Sequence, residues 1–409
     1  MMRSIAMAVV LLASATPSQV SAADSRWWRG NTHTHTTMCD HADSTPAAVA
    51  TWYLNRGYHF LCLSEHNVFI DPATVALPTP RRDDFILVPG EEITGAKVHM
   101  TALGIDALVA FNATGTSAQI IQRNTDRTRA AGGVAIVNHP NWSWGVSASD
   151  IRPAQNCYLF ELYNGHPHVN NPGDATHPST ETMWDDLLDD GMVIYGVSSD
   201  DAHHFKSLRD DLSNPGRGWV MVRAPTLGSD AICAAMDRGD FYASSGVHLA
   251  ELTVDGDAYA VRIDAAATEA EFALGTIRPF LPPASPAPIA GGRIEFIGPG
   301  GAVVAAVDGL TASCARSPDR AWLRAKATWT RIDAGGVARQ CFAWTQPVFE
   351  DGRLALVPDE NVRRGWASPA ASPPSSRAPG SEPRGCGGGL AMGAAGMGLA
   401  MIIAVSRRR

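Results

Sequence analysis

The sequence predicts a mixed α/β protein: β/α units with a largely parallel sheet, followed by a small antiparallel β-sandwich. Three observations carry this reading. Between Trp27 and Ser199, short β-branched or apolar runs alternate with longer helical stretches. Each run ends directly in a polar cluster, as do the strand ends that carry sites in β/α folds. From Leu249 the apolar residues change to alternate spacing. With 409 residues, 45% apolar and 18% charged, the chain can bury a sizeable core, which excludes disorder throughout.

Residues 1–23 read as a secretory signal. Arg3 gives a basic start, Ile5 to Ala15 an apolar stretch, and Val20-Ser21-Ala22-Ala23 a small-residue cleavage site before the polar Asp24-Ser25-Arg26. Residues 24–248 then offer strands at Phe60 to Leu63, Phe85 to Val88, Val134 to Val137, Tyr158 to Leu162 and Val193 to Val197. Helices are predicted at Pro46 to Arg56, Ser117 to Ala131 and Ser179 to Asp189, with hydroxyl caps at Ser44-Thr45-Pro46 and at Ser179. In residues 249–350, Leu252 and Val254, the Asp255-Gly256-Asp257 turn, and Tyr259, Val261 and Ile263 read as a hairpin. Leu323, Ala325, Ala327 and Trp329 alternate with polar residues before an Ala334-Gly335-Gly336 turn and a last strand through Phe342 and Trp344. This region has His248 at its edge and no cluster of titratable groups. Export to an oxidising compartment would make Cys314 and Cys341 the first pair to test for a disulfide.

Residues 351–385, dominated by Pro, Ser, Ala and Arg, read as a disordered linker. Residues 386–409 hold Cys386-Gly387, an apolar run from Leu390 to Val405, and Arg407-Arg408-Arg409. As a helix that run reaches about 24 Å, short of a bilayer core of about 30 Å, yet the terminal arginines favour a cytoplasmic end. This tail resembles the sorting tails of exported myxobacterial proteins, which implies a periplasmic or cell-surface protein that meets the membrane or the sorting machinery through its C-terminal segment.

A net charge of -8, from 33 basic and 41 acidic residues, provides no basic track for a nucleic acid polymer. The chemistry lies at the strand ends. Trp28 to His41, WRGNTHTHTTMCDH, puts His33, His35 and His41 within nine residues. Positions i and i+2 of a strand point to one side, so His33 and His35 can present two imidazoles to one metal. Later strand ends add His66, Glu92, His139, Asp201 and His203, and the strand predicted from Lys97 to Leu103 adds His99. Seven imidazoles and two carboxylates form a nitrogen and oxygen donor set suited to zinc, manganese or iron. Nine donors are too many for one ion, but two or three divalent ions could share them through a bridging carboxylate and still keep open positions.

The pattern of His33, His35 and His41, Glu65-His66-Asn67, Gly90-Glu91-Glu92-Ile93, His99, Asn138-His139-Pro140 and Ser199-Asp200-Asp201-Ala202-His203 resembles the PHP (polymerase and histidinol phosphatase) superfamily of metal-dependent phosphoesterases. The resemblance runs from about Arg26 to Gly246. Through Glu161-Leu162-Tyr163-Asn164-Gly165 and Phe241-Tyr242-Ala243-Ser244-Ser245-Gly246 it is similar to the exported branch with the CehA/McbA-type metallohydrolases. It implies a distorted seven-stranded β/α barrel and a trinuclear site. It also implies that His33, His35, Glu92 and Asp201 hold one ion, that Glu92 bridges to a second held by His99 and His139, and that His41, His66 and His203 hold the third. Glu65 stands where the family has Asp, which is expected to change how His66 is oriented without removing a ligand. Glu92 rather than Glu91 is the implied ligand, because the family's Glu lies two positions after its Gly.

Six positive charges from three ions against three negatives from Glu92, Asp201 and a bridging hydroxide would make the pocket cationic in an acidic protein. A metal-bridging water held by Glu92 is the expected nucleophile, and hydrolysis of a small phosphate ester, mono- or diester, the expected reaction. Lys97, Lys206 and Arg209 are candidate phosphate contacts. His204, with His166 and His168, is a candidate proton donor to the leaving group. The alternative reading is hydrolysis of a carbamate or carboxylic ester at the same site. A second alternative is a non-catalytic, metal-stabilised surface binding module.

Overall fold

The computed structural model describes residues 25–78, 81–280 and 288–350, so the expected signal segment, linker and C-terminal tail lie outside the described residues. Its first half lays down β1 (Arg26–Asn31), β2 (Phe60–Leu61), β3 (Ile86–Leu87), β4 (Gly90–Thr94), β5 (His99–Leu103), β6 (Val134–Val137), β7 (Leu159–Asn164), β8 (Tyr195–Ser199), β9 (Trp219–Ala224) and β10 (Phe241–Ser244). Between them run α1 (Pro46–Leu54), α2 (Ser117–Ala130), α3 (Ala148–Ile151), α4 (Thr180–Asp189) and α5 (Ser229–Asp237). Both expected caps are in place: the Thr45 side chain accepts from Ala48 N ahead of Pro46, and the Ser179 side chain accepts from Thr182 N. The core forms around β6 and β7, buried along their whole length against Ile121 of α2 and Trp184 and Leu187 of α4.

The largely parallel sheet expected from the alternation is a mixed one. β1, β2 and β3 pair in parallel, as do β6, β7 and β8, whereas β4, β5 and β6 pair antiparallel. Only residues 95–98 separate β4 from β5, and so short a connection reverses the chain but cannot cross over. Nor do the ladders close a barrel. β4-β5-β6-β7-β8 form one sheet, while β1, β2 and β3 belong to another. The two meet at single parallel bridges, Thr34 with Ala202 and His66 with Glu92. With β2 and β3 only two residues long, pairing runs out before a longer ladder can form.

The second half adds β11 (Leu249–Val254), β12 (Ala258–Ile263), α6 (Ala265–Leu274), β13 (Gly291–Gly298), β14 (Ala302–Asp308), β15 (Thr311–Ala315), β16 (Trp322–Ile332), β17 (Ala338–Thr345) and β18 (Val348–Phe349). Its pairings are antiparallel, as the alternation predicts. β11-β12-β15 form a three-stranded sheet, but β14-β13-β16-β17 continue through β10 and β9 into β1. One ten-stranded sheet therefore joins the two halves, and the described residues form one compact unit.

The polar side of β16 explains the union. It faces α4 instead of water. Arg324, 1% exposed, pairs with Asp185 at 2.7 Å and sits 4.8 Å over the Trp184 ring. Lys326 pairs with Glu181 at 2.6 Å, and Trp322 Nε1 donates to Asp189 at 2.8 Å. Cys314 on β15 and Cys341 on β17 lie in different sheets and are free thiols, so they form no disulfide. Among the described residues, no helix is long and apolar enough to cross a membrane.

Candidate metal centre

The loop after β1 is pinned before any histidine is placed. Asn31 Oδ1 accepts from His33 N at 3.0 Å, and Asn31 Nδ2 donates to Asp200 at 2.6 Å. Asp200, wholly buried, also accepts from the backbone N–H groups of Gly216, Arg217 and Gly218. This fixes the exit of β8, where Asp201 and His203 follow. Asp201 and His139 adopt left-handed backbone, with φ of 50° and 21°, a conformation non-glycine residues keep only where the surrounding structure holds it. Gly90, opening β4, permits a close approach: a Cβ there would lie 2.5 Å from Cys62 Sγ and 2.7 Å from the Ala102 carbonyl oxygen.

Glu92 is the hub. Its Oε1 lies 3.1 Å from His99 Nδ1, 3.1 Å from His139 Nε2, 3.3 Å from His33 Nε2 and 2.9 Å from Asn138 Nδ2. Its Oε2 lies 2.6 Å from His66 Nδ1 and 3.9 Å from His35 Nε2. Asp201 faces the same imidazoles, with Oδ1 3.5 Å from His33 Nε2 and 3.4 Å from His35 Nε2, and Oδ2 4.0 Å from His139 Nε2. His203 holds the Asp201 carbonyl through Nδ1 at 3.0 Å. His41 is exposed, its ring stacked on His66 and His203 at centroid distances of 5.2 and 4.5 Å. The nine residues singled out in the sequence are thus brought together, seven of them buried. Strand alternation separates the two glutamates: Glu91 turns away, accepts from Val109 N, and is pushed up to about 7 by burial.

Charges here are strongly coupled. Burial opposes ionisation of Glu92 and Asp201, yet the imidazoles of His99 and His33 hold Glu92, and those of His33 and His35 hold Asp201, well below the usual carboxylate range. Burial also opposes charge on His33, which Asp201, Glu161 and Glu92 nevertheless hold well above the usual histidine range. His203 moves the other way, driven down to about 2 by burial and then by repulsion from His35. His41 is lowered by burial and by His66. Imidazoles held beside two carboxylates are a donor set that a divalent cation can take by displacing their protons.

His203 Nε2 is buried without a hydrogen-bond partner, a cost of about 1–3 kcal/mol if nothing binds it. Among the described residues, four groups have donor atoms within 4.8 Å of one another: His33, His139 and Asp201; His33, His35 and Glu92; His66, Glu92 and His99; and His35, Cys39, His66 and His203. These residues could hold metal ions.

Other predicted residues stand apart. Lys97, Lys206 and Arg209 are exposed, and Arg209 is taken by Asp211 at 2.6 Å. His204 spends Nδ1 on Ser213 Oγ at 3.1 Å, with its ring 6.5 Å from that of His203. The half-buried His166 comes closer, 5.9 Å from the His203 ring, and exposed His168 stacks edge-on against it at 5.1 Å. Glu65 does not orient His66. Its Oε1 accepts from Thr36 N at 2.6 Å and its Oε2 lies 3.8 Å from His35 Nδ1, while Thr94 Oγ1 meets His66 Nδ1 at 2.8 Å. Successive residues of an extended segment point to opposite sides, so Glu65 and His66 reach different neighbours.

Two residues at the centre, Glu161 and Trp142, and one beside it, Arg278, had no role assigned from the sequence. Glu161 takes His33 Nδ1 at 2.8 Å, His139 N at 2.7 Å and Asn164 Nδ2 at 2.8 Å. Its signal was an acid inside the buried strand Leu159–Asn164. The Trp142 ring lies 5.1 Å from that of His99 and 5.8 Å from that of His139, forming an aromatic wall. Arg278, after α6, donates to the His166 carbonyl at 3.4 Å, and its distance in sequence hid it. Against protein-family models, characterised proteins and solved structures, the chain has no match.

Proposed function

We propose that this centre holds two or three divalent metal ions and hydrolyses phosphate esters in an exported enzyme of the PHP superfamily. The observation that carries the reading is the buried Glu92 carboxylate with five imidazoles around it and Asp201 facing the same group. His33, His35, His66, His99, His139 and His203, with Glu92 and Asp201, would hold the ions. Bound divalent ions supply Lewis acidity toward an anionic ester and lower the pKa of water.

The chain's own groups set the rest. Glu161 accepts the Nδ1 proton of His33 and so turns its Nε2 lone pair inward. Asn138 and Asn164 donate to Glu92 and Asp201 at 2.9 and 3.2 Å and fix their rotation. The Trp142 ring borders His99 and His139, and the His166 ring lies 5.9 Å from that of His203. A distorted seven-stranded barrel is supported by the order of β1, β2, the β3–β4 segment, β5, β6, β7 and β8, with the Thr34–Ala202 and His66–Glu92 bridges at its two gaps. Export rests on the signal and tail patterns.

Elemental analysis of purified protein, with turnover of bis-p-nitrophenyl phosphate, p-nitrophenyl phosphate and a naphthyl carbamate, tests this. At least two ions per chain are expected, with phosphate ester turnover that a chelator abolishes and added zinc, manganese or iron restores. Protein free of metal, or inert to all three esters with metal bound, would sink the enzymatic reading and leave a binding module. Turnover of the carbamate alone would select the neutral-ester reading, which the Trp142 wall and the outlying Lys97, Lys206 and Arg209 favour.

A further inference from the structure

The histidine implied by resemblance for the third ion, His41, is exposed, whereas Cys39, two residues earlier, is half-buried. Cys39, not His41, falls with His35, His66 and His203 into a group whose donor atoms all lie within 4.8 Å of one another. The local chain explains why. Cys39 N donates to the Thr36 carbonyl at 3.0 Å and Met38 N to Thr36 Oγ1 at 3.2 Å, so the segment after His35 folds back on itself, with the thiol donating to the Thr36 carbonyl at 3.3 Å within reach of the histidines. Across from it, His203 is 4% exposed, commits Nδ1 to the Asp201 carbonyl at 3.0 Å, and leaves Nε2 buried without a hydrogen-bond partner. A buried ring nitrogen with nothing to bind, beside two further imidazoles and a thiol, is a donor set lacking its acceptor.

We infer that Cys39, together with His35, His66 and His203, forms a thiolate-containing site for one divalent cation, which shares His35 and His66 with the group around Glu92 and differs from it by its sulfur donor. This rests on the reading of the centre as a metal site. Binding would exchange the thiol proton for the metal–sulfur bond and release that proton to solvent, with no change of oxidation state. Three imidazoles and a thiolate favour zinc or cobalt over manganese or magnesium, so the ions of one centre would differ in hardness. His41, stacked on His66 and His203, would then cover the site rather than complete it.

The full chain reconstituted with cobalt tests this by spectrum. The unaltered protein is expected to show a thiolate-to-cobalt charge-transfer band in the near ultraviolet. Cys39→Ser should lose the band while keeping cobalt near Glu92, and His41→Ala should keep it. In parallel, mass spectrometry of the Cys39 peptide after iodoacetamide treatment should show alkylation suppressed by zinc, a reading that needs no variant. Bound cobalt without the band, a band that survives Cys39→Ser, or equal alkylation with and without zinc would overturn the thiolate site and leave the metal centre standing. Absence of any bound cobalt would overturn the metal reading itself.

Discussion

His33 shows how one residue is set up by another far away in the chain. Its Nδ1 lies 2.8 Å from Glu161, and Nε2 is left facing Glu92 and His35. Replacing a carboxylate that orients a metal-binding histidine costs roughly 10–100-fold in metal affinity. Glu161→Gln should therefore weaken metal binding by about that factor in a chelator competition on the folded protein, with thermal unfolding of the metal-free protein followed alongside to separate lost affinity from the loss of a buried ion pair. Unaltered affinity would remove Glu161 from this role. Trp142 makes a different prediction: Trp142→Ala should raise KM for naphthyl or nitrophenyl esters more than it lowers kcat, since the ring borders the histidines without joining them. Of these contributions only the histidine spacing could be read locally. Glu161 drew notice only as part of a motif, and nothing about a tryptophan three residues after His139 announces where its ring will rest.

Among elements, the contact of β16 with α4 carries the largest consequence. The alternation along β16 sets its polar residues on one side, and there Arg324 and Lys326 pair with Asp185 and Glu181. Removing one partner of a buried ion pair leaves an uncompensated charge, at a cost of about 3–5 kcal/mol. Arg324→Ala should lower unfolding stability by that order in a urea titration, whereas Arg331→Ala, at an exposed position of the same strand, should change it little. Equal effects would mean that the α4 contact adds nothing. The caps of α1 and α4 were legible because a cap is made by neighbours in sequence. The partner of a strand's polar face is chosen by the fold.

For the molecule as a whole, a second buried cluster ties β1 to α6. Arg29 pairs with Glu271 at 2.5 Å, its guanidinium 4.2 Å over the Tyr58 ring and 4.0 Å over that of Trp219, and His248 Nε2 lies 3.1 Å from the same carboxylate. Burial raises the Glu271 pKa, but the His248 hydrogen bond and the Arg29 charge outweigh it and hold it at about 2. The folded value is depressed, so the unfolded chain takes up the proton first as pH falls. The stabilisation is complete above the ordinary carboxylate range and disappears as pH drops toward 2. Unfolding measured from pH 6 to pH 2 should show a pH-dependent loss of about 3 kcal/mol in the unaltered protein that is missing from Glu271→Gln. Parallel profiles would refute the assignment.

The chain alone determined the strand and helix alternation, the helix caps, the antiparallel pairing after Leu249 and which nine residues stand out as candidate donors, because periodicity, cap chemistry and residue type are properties of short segments. Tertiary structure decided that the sheets meet at single bridges, that β16 packs on α4, that Glu161 steadies His33, and that the Cys39 thiol comes within 4.8 Å of donor atoms of His35, His66 and His203. Each of these depends on which surfaces are pressed together once water is expelled, and a segment cannot specify the neighbour it will meet from another part of the chain.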